Sequence, residues 1–244
     1  DWYWSSYPAS REPGAMLQIP GLKMFNDGGS CNRPAKSYEY PDGGKGDLYY
    51  QADELADMII QAQERGYQVA IHGLGDRALE VIMDAYEIAL AGGPNTYQHR
   101  IEHNTLVRDD MLERYTELDL VATIFGEYGL CGTIDGKYRY TSPPEYSHWD
   151  MRWRLLIDTN PTVHFAWHSD APVIGKPKPM ENIYAFVTRH EYREDGSICE
   201  PPDWAADDTL TVEEVLPIMT IEGAYALLRD HEIGSLKAGK LADL

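Results

Sequence analysis

Short, unbroken apolar runs alternate along this chain with stretches in which apolar residues recur every three or four positions. Val69-Ala70-Ile71 and Leu120-Val121-Ala122-Thr123-Ile124-Phe125 are runs of the first kind, the pattern of parallel strands covered on both faces. Leu55, Met58, Ile59 and Ala62 are spaced as a helix face, with Gly66 as the stop. Leu79, Ile82, Tyr86 and Ala89 mark a second helix, opened by Asp76 as N-cap and ended by Gly92-Gly93-Pro94. Met111, Leu112, Tyr115 and Leu118 predict a third over 109–118, and another is expected near 149–158. Candidate strands over 19–25, 67–72, 100–103 and 165–170 complete an alternation of strand and helix. That order signals repeated βα units and a parallel sheet.

The connections are uneven. Residues 30–50 and 126–148 are Gly-, Pro- and Tyr-rich and read as long loops, the second long enough for an active-site lid. Val173 to Asp208 reads as an irregular excursion. Thr211 and Glu214 have capping-box spacing, Pro217 should kink or break the helix they open, and Thr220 is placed to cap a further helix through Leu228. The segment 234–244 reads as a turn and a strand.

Length and charge narrow the class. The 244 residues suit one TIM barrel or two small domains. With 21 Lys+Arg against 40 Asp+Glu the net charge is −19, which argues against nucleic acid or an anionic membrane as partner. No apolar run approaches the length of a membrane span. Cys31, Cys131 and Cys199 are scattered and odd in number, so free thiols and a cytoplasmic setting are expected.

Several predicted strands end in ionisable residues, and parallel sheets carry their function at those ends. His72 and His103 lie 31 residues apart, about one βα unit, which puts two imidazoles on one rim. Asp170 follows His164 and His168 and precedes the turn Ala171-Pro172. It reads either as a turn residue or as a metal ligand able to take a proton. Lys23 interrupts an apolar strand. It is either a lysine snorkelling outward or one converted by carbon dioxide to an anionic carbamate. Asp76, Arg77 and Glu102 suit helix capping, ion pairing or the orientation of ligands. Gly73-Leu74-Gly75 lacks the third glycine of a nucleotide-binding turn, since Ala78 stands there.

Set side by side, Leu22-Lys23-Met24-Phe25-Asn26-Asp27-Gly28, Ala70-Ile71-His72-Gly73-Leu74-Gly75-Asp76-Arg77-Ala78, Arg100-Ile101-Glu102-His103, His168-Ser169-Asp170-Ala171-Pro172-Val173 and Gly234-Ser235-Leu236 through Ala242-Asp243-Leu244 form an ordered set. The set resembles the amidohydrolase superfamily, specifically the YtcJ-like amidohydrolase-3 group that includes N-substituted formamide deformylases. The resemblance implies an α/β fold, a (β/α)8 TIM barrel, here strands 4 to 8 over residues 1–230. Residues 231–244 would begin the return into a β-sandwich domain. It implies Lys23 as a carbamylated bridge, His72 and His103 as metal ligands, and Asp170 as ligand and general base. Asp76, Arg77, Arg100 and Glu102 would orient ligands or substrate. The cofactor implied is a divalent metal, zinc, as one or two ions. The reaction implied is hydrolysis of a non-peptide carbon–nitrogen bond by metal-activated water. The expected partners are a small amide-like substrate and, in a homo-oligomer, further copies of the chain.

The family's His-x-His of strand 1 is absent from these residues. The chain is therefore expected to be an internal fragment, poorly stable and inactive alone, with unpaired sheet edges. Ester, lactone or decarboxylation chemistry on the same scaffold, or a barrel that binds without turnover, are the alternatives.

Overall fold

The computed structural model describes residues 6–29, 32–127, 142–143, 145–172, 177–193 and 195–241. Five strands form one sheet: β1 (Gly21–Phe25), β2 (Gln68–Gly73), β3 (Arg100–His103), β4 (Val121–Ile124) and β5 (Phe165–Trp167). Their spatial order is their chain order, and every pairing is parallel. The helices are α1 (Ala52–Gln63), α2 (Asp76–Leu90), α3 (Arg114–Glu117), α4 (Trp153–Thr159), α5 (Pro179–Thr188), α6 (Val212–Met219) and α7 (Ile221–Ala226). Consecutive parallel neighbours joined by helices are the half-barrel arrangement expected for strands 4 to 8.

Period-2 alternation divides the sheet into two chemistries. Val69, Ile71, Ile101, Ala122, Ile124 and Phe165 join the helices in the main core. The opposite face carries Lys23, Gln68, Ala70, Arg100 and Glu102, which line a cavity of about 230 Å³. Helix α7 closes this polar face from below: Ala226 C=O accepts from Arg100 Nη1 at 2.7 Å and from Gln68 Nε2 at 3.0 Å.

The loops at the C-terminal edge of the sheet are organised by Asp27, whose side chain is fully buried. Its oxygens accept from the N–H groups of Ala35, Leu74 and Gly75 at 2.9, 3.1 and 2.8 Å. Gly75 is required here, because a Cβ would lie 1.9 Å from Ala35 O. Gly73 admits α2 against the sheet, since a Cβ there would meet Ile82 and Leu79 within 3 Å.

Several expectations are corrected. The N-cap of α2 is Gly75, not Asp76, which is the first helical residue. The helix expected over 109–118 is a 3-10 turn at Asp109–Met111 and the single turn α3. That expected near 149–158 is likewise a 3-10 turn at Ser147–Trp149 followed by α4. The stretch 173–208 holds α5 and a small antiparallel ribbon, β6 (Glu191–Tyr192) with β7 (Ile198–Cys199). The Thr211–Glu214 capping box forms, and α6 ends two residues after Pro217. Thr220 stands at the N-cap position of α7 as expected, but without a side-chain cap bond: its hydroxyl donates back to Leu216 C=O at 2.7 Å, and the helix ends at Ala226. Described residues 234–241 are turns without a strand. Cys199 is disulfide-bonded rather than free, and such bonds persist in oxidising surroundings, which removes the argument for a cytoplasmic setting. Among the described residues no helix is long and apolar enough to cross a membrane.

At the entry to β5, His164 Nδ1 lies 2.6 Å from Glu222 Oε2 and the ring stacks on Tyr225 at 3.6 Å. The hydrogen bond with Glu222 raises the His164 pKa above 6.5 against a smaller opposing effect of burial. A raised folded-state pKa stabilises fully below the unfolded value and ceases to do so as pH rises through the folded value.

Two expectations follow from these contacts. Asp27→Ala strands three buried N–H donors and should lower unfolding free energy by about 3 kcal/mol or more, read by urea denaturation. The stability lead of the unmodified protein over His164→Asn should be largest near pH 5.5 and shrink by pH 8.5; a lead constant with pH would remove the ion pair from the stability account.

Candidate metal centre

The ends of β2, β3 and β5 bring three imidazoles into one row. His72 and His103 have ring centroids 4.4 Å apart, and His103 and His168 are 4.8 Å apart, both edge-on. The 31-residue spacing does not give equal registers: His72 pairs with Glu102, and Gly73 with His103. Strict alternation would turn His103 toward the helices beside Ile101. Instead its φ of 81° breaks the alternation and carries the ring to the side of His72. A left-handed non-glycine residue costs on the order of 1–3 kcal/mol and persists where the surroundings over-determine it.

Each ring has a distinct environment. His72 Nε2 lies 3.3 Å from both Asp27 Oδ1 and Gly28 C=O. A proton on Nε2 satisfies those oxygens and leaves the lone pair on Nδ1, the usual way a ligating histidine is oriented. His103 is buried, stacks on Phe125 at 5.2 Å, and has a buried Nδ1 with no hydrogen-bond partner among the described residues. His168 packs on Phe125 at 4.1 Å, and its Nε2 is likewise buried without a partner. Burial, with neighbouring His168, His72 and Lys23, holds His103 well below the usual imidazole range. Burial, reinforced by Lys23 and Arg100 against the pull of Glu102, brings His168 down to about 4. Both rings are therefore neutral at pH 7, the form that can donate a lone pair.

The carboxylates complete the electrostatics. Burial alone would raise the Glu102 pKa, but Arg100 and Lys23 beside it bring it down to about 2. Its Oε1 is 2.5 Å from Arg100 Nε, and its Oε2 accepts from Thr123 Oγ1 at 3.0 Å and stands 4.0 Å from Lys23 Nζ. Lys23 is the middle residue of β1 rather than its last. Asp170 follows β5 with φ 53°. Burial raises its pKa, opposed by Lys23 and His72, so it lies within their electrostatic reach.

Asp76 and Arg77 bind elsewhere. Asp76 accepts from Ser37 N–H at 2.9 Å and Arg108 Nη1 at 3.2 Å, and Arg77 Nη2 donates to Gly46 C=O at 2.6 Å. They fasten the loop over 32–50 to α2. Tyr38 and Tyr40 of that loop are buried, with Lys36 Nζ over both rings, so they pack rather than line a pocket. Much of the proposed second aromatic loop lies outside the described residues.

Two residues of the site were missed from sequence. Asp27 stood in the sequence only as one residue of the Leu22–Gly28 motif, and a carboxylate two residues past β1 was the available signal. His168 read only as a neighbour of Asp170, although alternation from Ala166 places it on the polar face. Among the described residues no three His, Cys, Asp or Glu side chains are already gathered as a metal-holding set. The neutral imidazoles of His103 and His168, the ring of His72 and Asp170 within electrostatic reach of it nevertheless fit part of a divalent-metal donor set.

Comparison with known proteins bears on the family and the fold. The sequence model described as the amidohydrolase family matches residues 4–244. Protein LONG AFTER FAR-RED 3 of Arabidopsis thaliana is 29% identical over 231 residues, 93% of this chain and 38% of that protein. N-substituted formamide deformylase of Arthrobacter pascens is 30% identical over 245 residues, 96% of this chain and 41% of that protein. The crystal structure of an uncharacterized metal-dependent hydrolase from Pyrococcus furiosus superposes with a TM-score of 0.76 at 26% identity, covering 98% of this chain and 46% of that one. The chain spans about two fifths of the length of the curated relatives it matches. With the family's pattern running through nearly the whole sequence, this chain belongs to the amidohydrolase family.

Proposed function

We propose that the protein carrying these residues is a metal-dependent hydrolase of non-peptide carbon–nitrogen bonds, with an amide or N-substituted formamide as substrate. The observation that carries the reading is the edge-on approach of His72 and His103, 4.4 Å between ring centroids, with Asp170 within electrostatic reach of His72. Family membership and the likeness to a formamide deformylase support the substrate class.

His72, His103 and Asp170 would hold a divalent ion, zinc by their donor chemistry, with Lys23 contributing once its amine is converted to a carbamate. When bound, such an ion lowers the pKa of water to about 7 and polarises a carbonyl. The chain's own residues do the rest. Asp27 fixes the ring of His72. Arg100 keeps Glu102 ionised, and Glu102 fixes Lys23. Asp170, its pKa raised by burial, takes the proton of the attacking water and delivers it to the leaving nitrogen as the carbon–nitrogen bond breaks. The products are a carboxylate (formate for a formamide) and an amine.

Stripping with a chelator should abolish hydrolysis of an N-substituted formamide, and Zn²⁺ or Co²⁺ should restore it; undiminished turnover in the stripped protein would sink the metal. Asp170→Asn should lower kcat about 10²–10⁴-fold in the metal-loaded, folded protein. A kcat within about threefold of the parent would remove Asp170 from proton transfer.

A further inference from the structure

Ligating histidines are ordinarily oriented by a hydrogen bond from the ring nitrogen that does not bind the metal. His72 follows this rule through Asp27. For His103, with Nε2 taken as the metal donor, no such hydrogen bond is present, because its Nδ1 is buried with no hydrogen-bond partner among the described residues. Its backbone is also in the left-handed region, so the local chain does not favour the observed ring position. Something else holds the ring on the polar side of the sheet.

The surroundings supply it. Phe125, 2% exposed at the end of β4, lies nearly parallel to the His103 ring, 15° between planes at 5.2 Å. His168 stands edge-on to the same ring, 67° at 4.8 Å, and is itself packed on Phe125 at 4.1 Å. His72 closes the remaining edge at 72° and 4.4 Å. Three aromatic groups from β2, β4 and the end of β5 thus enclose His103. Neither Phe125 nor His168 is among the proposed ligands.

Resting on the metal-site reading above, we infer that Phe125 and His168 are positioning residues, an aromatic clamp that orients His103 for metal binding by packing in place of a hydrogen bond. The ring of His168, rather than its nitrogen, does the positioning. An apolar clamp of this kind also keeps water from the orphaned Nδ1, so ring rotation is opposed by packing on two sides. Loss of one wall frees the ring to relax toward the helix side that its strand alternation favours.

The test is Co²⁺ binding by the whole protein, followed through the visible absorption of the bound ion, with thermal unfolding as the check on folding. Phe125→Leu should weaken the Co²⁺ Kd about 10–100-fold and alter the absorption spectrum, as loss of a ligand-orienting partner does. His168→Ala should weaken it about 10-fold, which keeps the test open if Phe125→Leu does not fold. His168→Phe keeps the ring without a nitrogen and should bind within about threefold of the unmodified protein. Binding within about threefold in both Phe125→Leu and His168→Ala overturns the clamp. So does His168→Phe binding as weakly as His168→Ala, which would make the nitrogen the working part. Absence of Co²⁺ uptake by the unmodified protein overturns the metal reading and the clamp together, whereas tight uptake with indifferent variants overturns the clamp alone.

Discussion

A single buried carboxylate, Asp27, ties the C-terminal edge of the sheet together. It lies two residues past β1, yet it accepts backbone N–H groups from the turn after β2 and from the loop at Ala35, and it faces His72. Each of those donors would be stranded without it, and a stranded buried N–H costs on the order of 1–3 kcal/mol. The geometry of two βα loops and the tautomer of one imidazole therefore depend on the same pair of oxygens. The glycines of the β2 turn serve that arrangement: Gly75 admits the backbone of Ala35, and Gly73 admits α2.

Much of this was legible in the sequence for a physical reason. Buried parallel strands are apolar on both faces, so Val69–Ile71 and Leu120–Phe125 announced themselves, and α1 and α2 carry long helical stripes. Short elements were less legible. The stripe at Met111, Leu112 and Tyr115 is buried as predicted, but the chain meets the core there through one 3-10 turn and one α turn. Apolar spacing reports burial, and over two turns it does not distinguish a continuous helix from a broken one. The ribbon at 191–199 has too few residues for any period to show.

The site was legible in its residue types and less so in its geometry. Spacing placed His72 and His103 on neighbouring strands, and the structure agrees, with a one-residue offset that sequence separation cannot reveal. The turn of His103 across the sheet depends on a backbone angle, which no side-chain pattern encodes. Asp76 and Arg77 show the converse. They lie in the most recognisable stretch of the chain, yet their side chains are bonded to a loop and to Arg108.

The polar face poses the remaining question: why place a half-buried charged network beside the candidate metal centre? Burying ions is costly unless each is paired and hydrogen-bonded. Here the pairing runs upward from Ala226 C=O through Arg100 to Glu102 and ends at Lys23. Burial lowers the Lys23 pKa, and Glu102, held ionised by Arg100, opposes that by favouring the charged form of the amine 4.0 Å away. An ammonium has no lone pair to give a metal. Lys23 can therefore join a ligand set only by a change of chemical state that Glu102 opposes, and the gain must come from cations that offset the carboxylate. On the proposed reading of Lys23 as a carbamate, its modification and occupation of the centre would be coupled, with Glu102 the group through which the coupling acts.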